Sequence, residues 1–172
     1  MKTLLRIDAS VRINGSNTCA LTDYFQARWQ KANPEGDVIR RCLASDPIPH
    51  LSNEMIEAFQ QASGPSQRTS LSDTLIDELR RADHVLVGSP LYNLTLPSTL
   101  KAYFDHVVRS GATFEVRRGN YRGLLNGRSA STRARLIAVV SCFWCRAQVP
   151  DTRRGTIFPR SVTKRPNRFS SF

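Results

Sequence analysis

Thr3-Leu4-Leu5-Arg6-Ile7-Asp8-Ala9 runs directly into Ser10-Val11-Arg12-Ile13-Asn14-Gly15-Ser16-Asn17-Thr18, and this stretch decides the fold. Leu4, Leu5 and Ile7 form a short apolar run ending in polar, glycine-containing residues, the pattern of a buried parallel strand feeding a loop. Leu21, Tyr24, Phe25, Arg28 and Trp29 follow at helical spacing, Arg28 being the one polar member. Ser16 or Asn17 is the N-cap candidate, since its side-chain oxygen accepts from an otherwise orphaned amide. Asn33-Pro34-Glu35-Gly36 ends the helix.

The same alternation continues along the chain. Asp37–Leu43 reads as a second strand, and Arg40-Arg41 gives it one wet face or an edge position. The prolines of Asp46-Pro47-Ile48-Pro49 force an extended loop. Asn53–Gln61 and Leu71–Ala82 read as helices; in the second, Leu71, Leu75, Ile76 and Leu79 form a stripe opposite Asp73, Asp77, Arg80 and Arg81. His84–Gly88 is a third buried strand. Pro97 suits the first turn of a helix reaching about Arg109, with Leu100, Tyr103, Phe104, Val107 and Val108 on one side. Repeated strand–helix–strand units specify a doubly wound parallel sheet with helices on both faces, an α/β fold.

Ligands of such sheets settle beyond the carboxyl ends of the strands. Two loops there carry distinctive chemistry. Ser10, Ser16, Asn17 and Thr18 surround the start of a helix, where unpaired amides and the positive end of the helix dipole favour a phosphate. The loop has neither the glycine pattern of dinucleotide folds nor a phosphate-loop lysine, so a monophosphate suits it better than a triphosphate. A plain helix cap is the competing reading. Pro90-Leu91-Tyr92-Asn93-Leu94 follows the third strand, and its tyrosine and asparagine suit a planar heterocycle or, more simply, an aromatic lid over the core. Together the two loops point to flavin mononucleotide (FMN).

At this point the sequence resembles a known family, the FMN-dependent NADH:quinone oxidoreductases, also called NADH-azoreductases. The resemblance spans roughly residues 3–127. It rests on Leu21-Thr22-Asp23-Tyr24-Phe25, Asp46-Pro47-Ile48-Pro49, Pro90-Leu91-Tyr92-Asn93, Leu100-Lys101-Ala102-Tyr103-Phe104-Asp105, Arg109-Ser110-Gly111-Ala112-Thr113-Phe114 and Gly123-Leu124-Leu125-Asn126-Gly127. It implies a flavodoxin-like fold and a homodimer with one FMN per subunit near the interface. Ser10, Ser16, Asn17 and Thr18 would then hold the phosphate, and Leu91, Tyr92, Asn93 and Leu94 would lie alongside the isoalloxazine. The implied reaction is ping-pong, with NAD(P)H as electron donor and a quinone or azo compound as acceptor. The redox chemistry belongs to the cofactor, and no residue is assigned as catalytic acid or base. Asp8, His84 and His106 are the candidates by type, with core or surface placement expected for each.

The remaining composition divides the chain. It is 40% hydrophobic and 23% charged, as a folded globule requires. No apolar run approaches the roughly eighteen residues of a membrane span. Cysteines at 19, 42, 142 and 145 give no disulfide framework, which favours a reducing cytoplasm. Residues 1–127 hold 15 Lys+Arg against 13 Asp+Glu, whereas 128–172 hold 10 against Asp151 alone, so the net charge of +11 sits mainly in the last quarter. Family resemblance and periodicity stop at the same place. The expectation is a body over 1–127 and a basic tail over 128–172 that is out of the ancestral coding frame or disordered, with the C-terminal strand and helices of the fold missing. Leu136–Val140 retains the character of a strand. Cys142-Phe143-Trp144-Cys145 lacks a second ligand pair for zinc and reads as coincidence. A tail this basic offers an alternative function, non-catalytic binding of nucleic acid, although disordered stickiness accounts for it without a specific nucleic-acid partner. A phosphate-binding hydrolase on the same fold lacks an obvious nucleophile in the first loop, since Cys19 there is not part of a phosphatase-type Cys-x5-Arg.

Overall fold

A computed structural model of the chain describes residues 1–61, 68–125 and the strand 135–141. In chain order the elements are β1 (Thr3–Asp8), α1 (Asn17–Ala32), β2 (Asp37–Cys42), α2 (Asn53–Gln60), α3 (Ser70–Arg81), β3 (His84–Pro90), α4 (Ser98–Val107), β4 (Phe114–Arg117), β5 (Asn120–Gly123) and β6 (Arg135–Ser141). Among the described residues β2, β1, β3 and β6 form one parallel sheet in that order, while β4 and β5 pair antiparallel outside it. This is the expected α/β sheet.

The period of two in β1 and β3 sorts their side chains onto two faces. Leu5, Ile7, Val85 and Val87 join Leu75 and Ile76 of α3 and Leu100, Tyr103 and Val107 of α4 in the larger core. Leu4 and Leu86 face the other way, against Leu21, Phe25 and Trp29 of α1. Helices therefore cover both faces. Gly88 lets α1 come close: a Cβ there would lie 2.6 Å from Thr22 Cγ2 and 3.2 Å from Thr18 Cγ2.

β2 occupies the edge that its arginines predict, and Arg41 ties it to Glu78 of α3 and to Asp46. On α1 the predicted stripe is narrower than read. Tyr24 is 46% exposed and bonded to Arg28, 3.2 Å between hydroxyl and guanidinium, because the face of α1 against the sheet is the i, i+4 series Leu21–Phe25–Trp29 together with Thr18 and Thr22. Val108 lies just past the end of α4 and points outward, correcting its place in the α4 stripe. Pro97 caps α4 rather than opening its first turn.

The β4–β5 hairpin is absent from the sequence reading. Its turn is Arg118-Gly119, both at positive φ (51° and 79°), the two-residue geometry matched to strand twist. Exposed arginines on both strands hide the alternation that would have revealed it.

β6 pairs with β3 from His84↔Arg135 to Pro90↔Ser141, so the sheet continues past residue 127. The Cys142–Cys145 pair and the rest of the tail after β6 lie outside the described residues. Within those described, no helix is long and apolar enough to cross a membrane.

Candidate functional site

β1 and β3 lie side by side, so their carboxyl ends open onto one edge of the sheet. Ala9 extends the pairing through its amide to the Gly88 carbonyl, 2.8 Å away. From there the chain turns outward. Ser10 is buried, and its hydroxyl accepts from the Arg12 amide at 3.3 Å. Gly15 takes φ +68°, the left-handed conformation that turns the chain back toward α1. Ser16 is the N-cap, accepting from the Cys19 amide at 3.2 Å.

The predicted phosphate-site residues therefore differ in setting. Ser10 and Ser16 are buried at the two ends of the loop, and Asn17 is exposed on the first turn of α1. Thr18 is buried, with its methyl directed at Gly88. Val11 and Ile13 stand exposed on the loop between them.

The second loop is a tight reversal. The Tyr92 amide donates to the Thr95 carbonyl at 3.1 Å and the Thr95 amide returns the bond at 3.0 Å. Asn93 (φ 50°) and Leu94 (φ 63°) form the corner. Asparagine tolerates this region; a leucine in it is strained, and Leu94 is nevertheless 93% exposed. Leu91 is exposed as well, whereas Tyr92 is half-buried.

The two loops touch. The Val11 amide donates to the Tyr92 hydroxyl at 3.3 Å across 81 positions of sequence. This bond juxtaposes the predicted phosphate loop and the predicted ring loop, although sequence gave no sign of it. Beside them an apolar cavity of about 630 Å³ is lined by Ser89, Leu91, Leu96, Tyr103, Phe114 and Tyr121, among others. Burial pushes the Tyr103 phenol well above its ordinary pKa. On the β2 side a smaller, more polar hollow of about 400 Å³ includes Ile13, Arg40, Cys42 and Ser45.

Beneath the first loop lies an ionic cluster that sequence reasoning missed, because Arg6 stands within an apolar strand. Arg6 is 1% exposed and Asp8 0%. Arg6 Nε donates to Asp8 Oδ1 at 3.1 Å, Thr22 Oγ1 donates to the same oxygen at 2.7 Å, and Arg40 Nε donates to Asp8 Oδ2 at 3.2 Å. Burial alone would lower the Arg6 pKa, but hydrogen bonds and attraction from Asp8 and Asp23 outweigh it and raise the pKa further.

Asp8 is thus committed to this cluster. His106 is fully buried, with Nε2 2.9 Å from the Pro49 carbonyl. His84 lies at the start of β3, edge-on to Trp29 and at the opposite end of that strand from the loops. Asp8 and His106 therefore sit in the core, as expected, and His84 at the far end of β3.

The donor chemistry fits FMN. Buried hydroxyls stand at both ends of a loop that leads into a helix start suited to a phosphate, and an apolar cavity beside the second loop suits a flat ring.

Comparison with known proteins agrees in kind. A family described as "Flavodoxin-like fold" matches residues 1–134. An "FMN-dependent NADH:quinone oxidoreductase" of Xanthobacter autotrophicus is 47% identical over 135 residues, 76% of this chain and 65% of its own length. A protein of the same name from Hydrogenovibrio crunogenus is 40% identical, covering 76% of this chain and 67% of its own. The chain thus spans about two thirds of the length of these curated relatives. Among solved structures, an azoreductase from Bacillus anthracis superposes with a TM-score of 0.68 at 24% identity, covering 81% of this chain and 69% of that one. An FMN-dependent NADH-azoreductase from the same species, in complex with FMN, gives 0.66 at 19% identity, with the same two coverages. At these identities the structures speak for the fold.

Proposed function

We propose, from the premise that the chain belongs to the flavodoxin-like fold family and within it to the FMN-dependent NADH:quinone oxidoreductases, that it binds FMN and passes two electrons from NAD(P)H to a quinone or azo compound. The observation that carries this reading is the Val11–Tyr92 hydrogen bond, which joins an anion-suited loop to an aromatic loop at neighbouring strand ends. When bound, FMN supplies the hydride and electron chemistry.

The residues of the chain bind and orient. Ser10, Ser16, Asn17 and Thr18 surround the phosphate end, through hydroxyls, a side-chain amide and the first amides of α1. Leu91, Tyr92, Asn93 and Leu94 border the ring, and exposed leucines beside it exclude water from one edge. The Tyr92 hydroxyl, accepting from Val11, keeps the two grips in register. The apolar wall formed by Leu96, Phe114 and Tyr121 suits an aromatic acceptor.

Leu96, Val108, Tyr121 and Leu125 are exposed apolar residues lining one cavity. That rim supports a homodimer, and the free thiols Cys19 and Cys42 support a reducing cytoplasm.

Titration of the protein into FMN with fluorescence detection, followed by NADH oxidation in the presence of a quinone, tests the reading. Quenching and quinone-dependent oxidation are expected. Unquenched flavin at micromolar protein removes the basis for the proposal.

A further inference from the structure

Arg6 makes more bonds than neutralising Asp8 requires. Beyond Asp8 it reaches three groups on α1: Nη1 donates to Asp23 Oδ1 at 2.6 Å and to Gln26 Oε1 at 2.9 Å, and Nη2 to the Cys19 carbonyl at 3.4 Å. Asp8 in turn accepts from Thr22 of α1 and from Arg40 of β2. One guanidinium and one carboxylate therefore connect the carboxyl half of β1, the first turns of α1 and the end of β2. Between the first two of these lies the loop 10–16.

Buried ion pairs add little net stability compared with well-packed apolar residues, because desolvation offsets their attraction. What they do supply is direction. Arg6 has a planar fork whose donors are fixed relative to one another. With its fork divided between Asp8 and α1, the distance from the β1 terminus to the helix start has little freedom. Ser10 follows Asp8 by two residues, and Ser16 caps the helix that Arg6 holds.

We propose that Arg6 and Asp8 are positioning residues that set the spacing of Ser10 and Ser16, and so give the site its preference for a phosphorylated flavin over an unphosphorylated one. This rests on the FMN reading above and assigns the affinity for the phosphate end to a buried pair that does not touch the ligand.

Charge alone predicts the opposite for one variant. Asp8→Asn removes a negative charge from beneath an anion site, so a purely electrostatic role tightens FMN binding. A positioning role weakens it, because the amide cannot accept from Thr22, Arg6 and Arg40 with two equivalent oxygens. Arg6→Lys keeps the charge and loses the fork. Asp23→Asn frees one arm of Arg6 at a side chain that is 62% exposed, where folding is not at stake.

The test compares dissociation constants for FMN and riboflavin, which differ only in the phosphate, by fluorescence quenching of wild type and the three variants. Wild type is expected to prefer FMN. Arg6→Lys and Asp8→Asn are expected to reduce that preference about tenfold, the scale of outer-shell positioning losses, with riboflavin affinity changed less than about threefold. Asp23→Asn is expected to reduce the preference by a smaller factor. Equal weakening for both flavins, an unchanged preference, or a preference increased by Asp8→Asn overturns the inference while leaving the FMN reading intact. Wild type that binds neither flavin overturns both.

Discussion

Gly88 is the position where a single methyl group separates two packing solutions. Its would-be Cβ meets Thr22 Cγ2 at 2.6 Å, and Thr22 cannot rotate away freely because its hydroxyl donates to Asp8 at 2.7 Å. Gly88→Ala is therefore expected to destabilise the protein by about 1–3 kcal/mol, the usual scale of overpacking, despite the smaller unfolded-state entropy of alanine. Adding Thr22→Ser, which keeps the hydroxyl and deletes the methyl, is expected to recover most of that loss in urea denaturation. No recovery would locate the clash elsewhere. The same residues show why part of the site was illegible in sequence. Ser10 and Ser16 announce themselves as polar groups at a strand-to-helix turn, and the structure puts both there. Arg6 looks like an interruption of an apolar strand, and its burial has a reason once Asp8 of the same strand and Asp23 and Gln26 of α1 are seen to surround it.

At the scale of elements, strands and helices with one apolar face were readable, because alternation and the 3.6-residue period are local. The hairpin β4–β5 was not, since Phe114-Glu115-Val116-Arg117 alternates over only four residues and β5 adds a single apolar residue, Tyr121. The corner Asn93-Leu94 tests what strain contributes. Asn-Gly is the favoured pair for this turn, so Leu94→Gly is expected to raise stability by roughly 0.5–1 kcal/mol as relieved left-handed strain outweighs added chain entropy. Weaker flavin affinity in the same variant would mark Leu94 as a strained binding residue. A drop in melting temperature would instead show a folded-state contact for its exposed side chain.

The segment just past α4 is tied to α3 by Arg109, which donates to Ser72 Oγ at 2.9 Å, pairs with Asp73 and lies 5.2 Å from the Phe59 ring centre. Burial works against the Asp73 carboxylate, but bonds from Arg109 and Thr69 outweigh it and hold its pKa below the ordinary value. A depressed folded-state pKa contributes stability above the unfolded value of about 4, and that contribution disappears as pH falls through the folded pKa. Asp73→Asn is accordingly expected to lower the urea midpoint at pH 7, with the difference from wild type shrinking as pH falls below the ordinary carboxylate range. A constant difference across that range would assign the effect to packing.

For the whole molecule, the sheet order follows from the repeated crossover units, whereas the pairing of β6 with β3 depends on contacts between segments about 50 residues apart. Charge counting could identify the basic last quarter but not where the sheet ends. Ligand binding tests the integrity of this assembly, because the proposed FMN site exists only when β1, α1 and β3 are together. A ligand that binds the folded state alone stabilises it by about 2.7 kcal/mol at a free concentration of a hundred times Kd. For a chain of this size that corresponds to an increase in melting temperature of roughly 5–10 °C. FMN is expected to produce that shift and riboflavin, at the same concentration, a smaller one, because it lacks the phosphate for which Ser10 and Ser16 are proposed. Equal shifts would move the binding energy to the ring loop alone. No shift with either, at concentrations that saturate quenching, would mean that the flavin binds folded and unfolded chain alike, and the two loops would then not form its site.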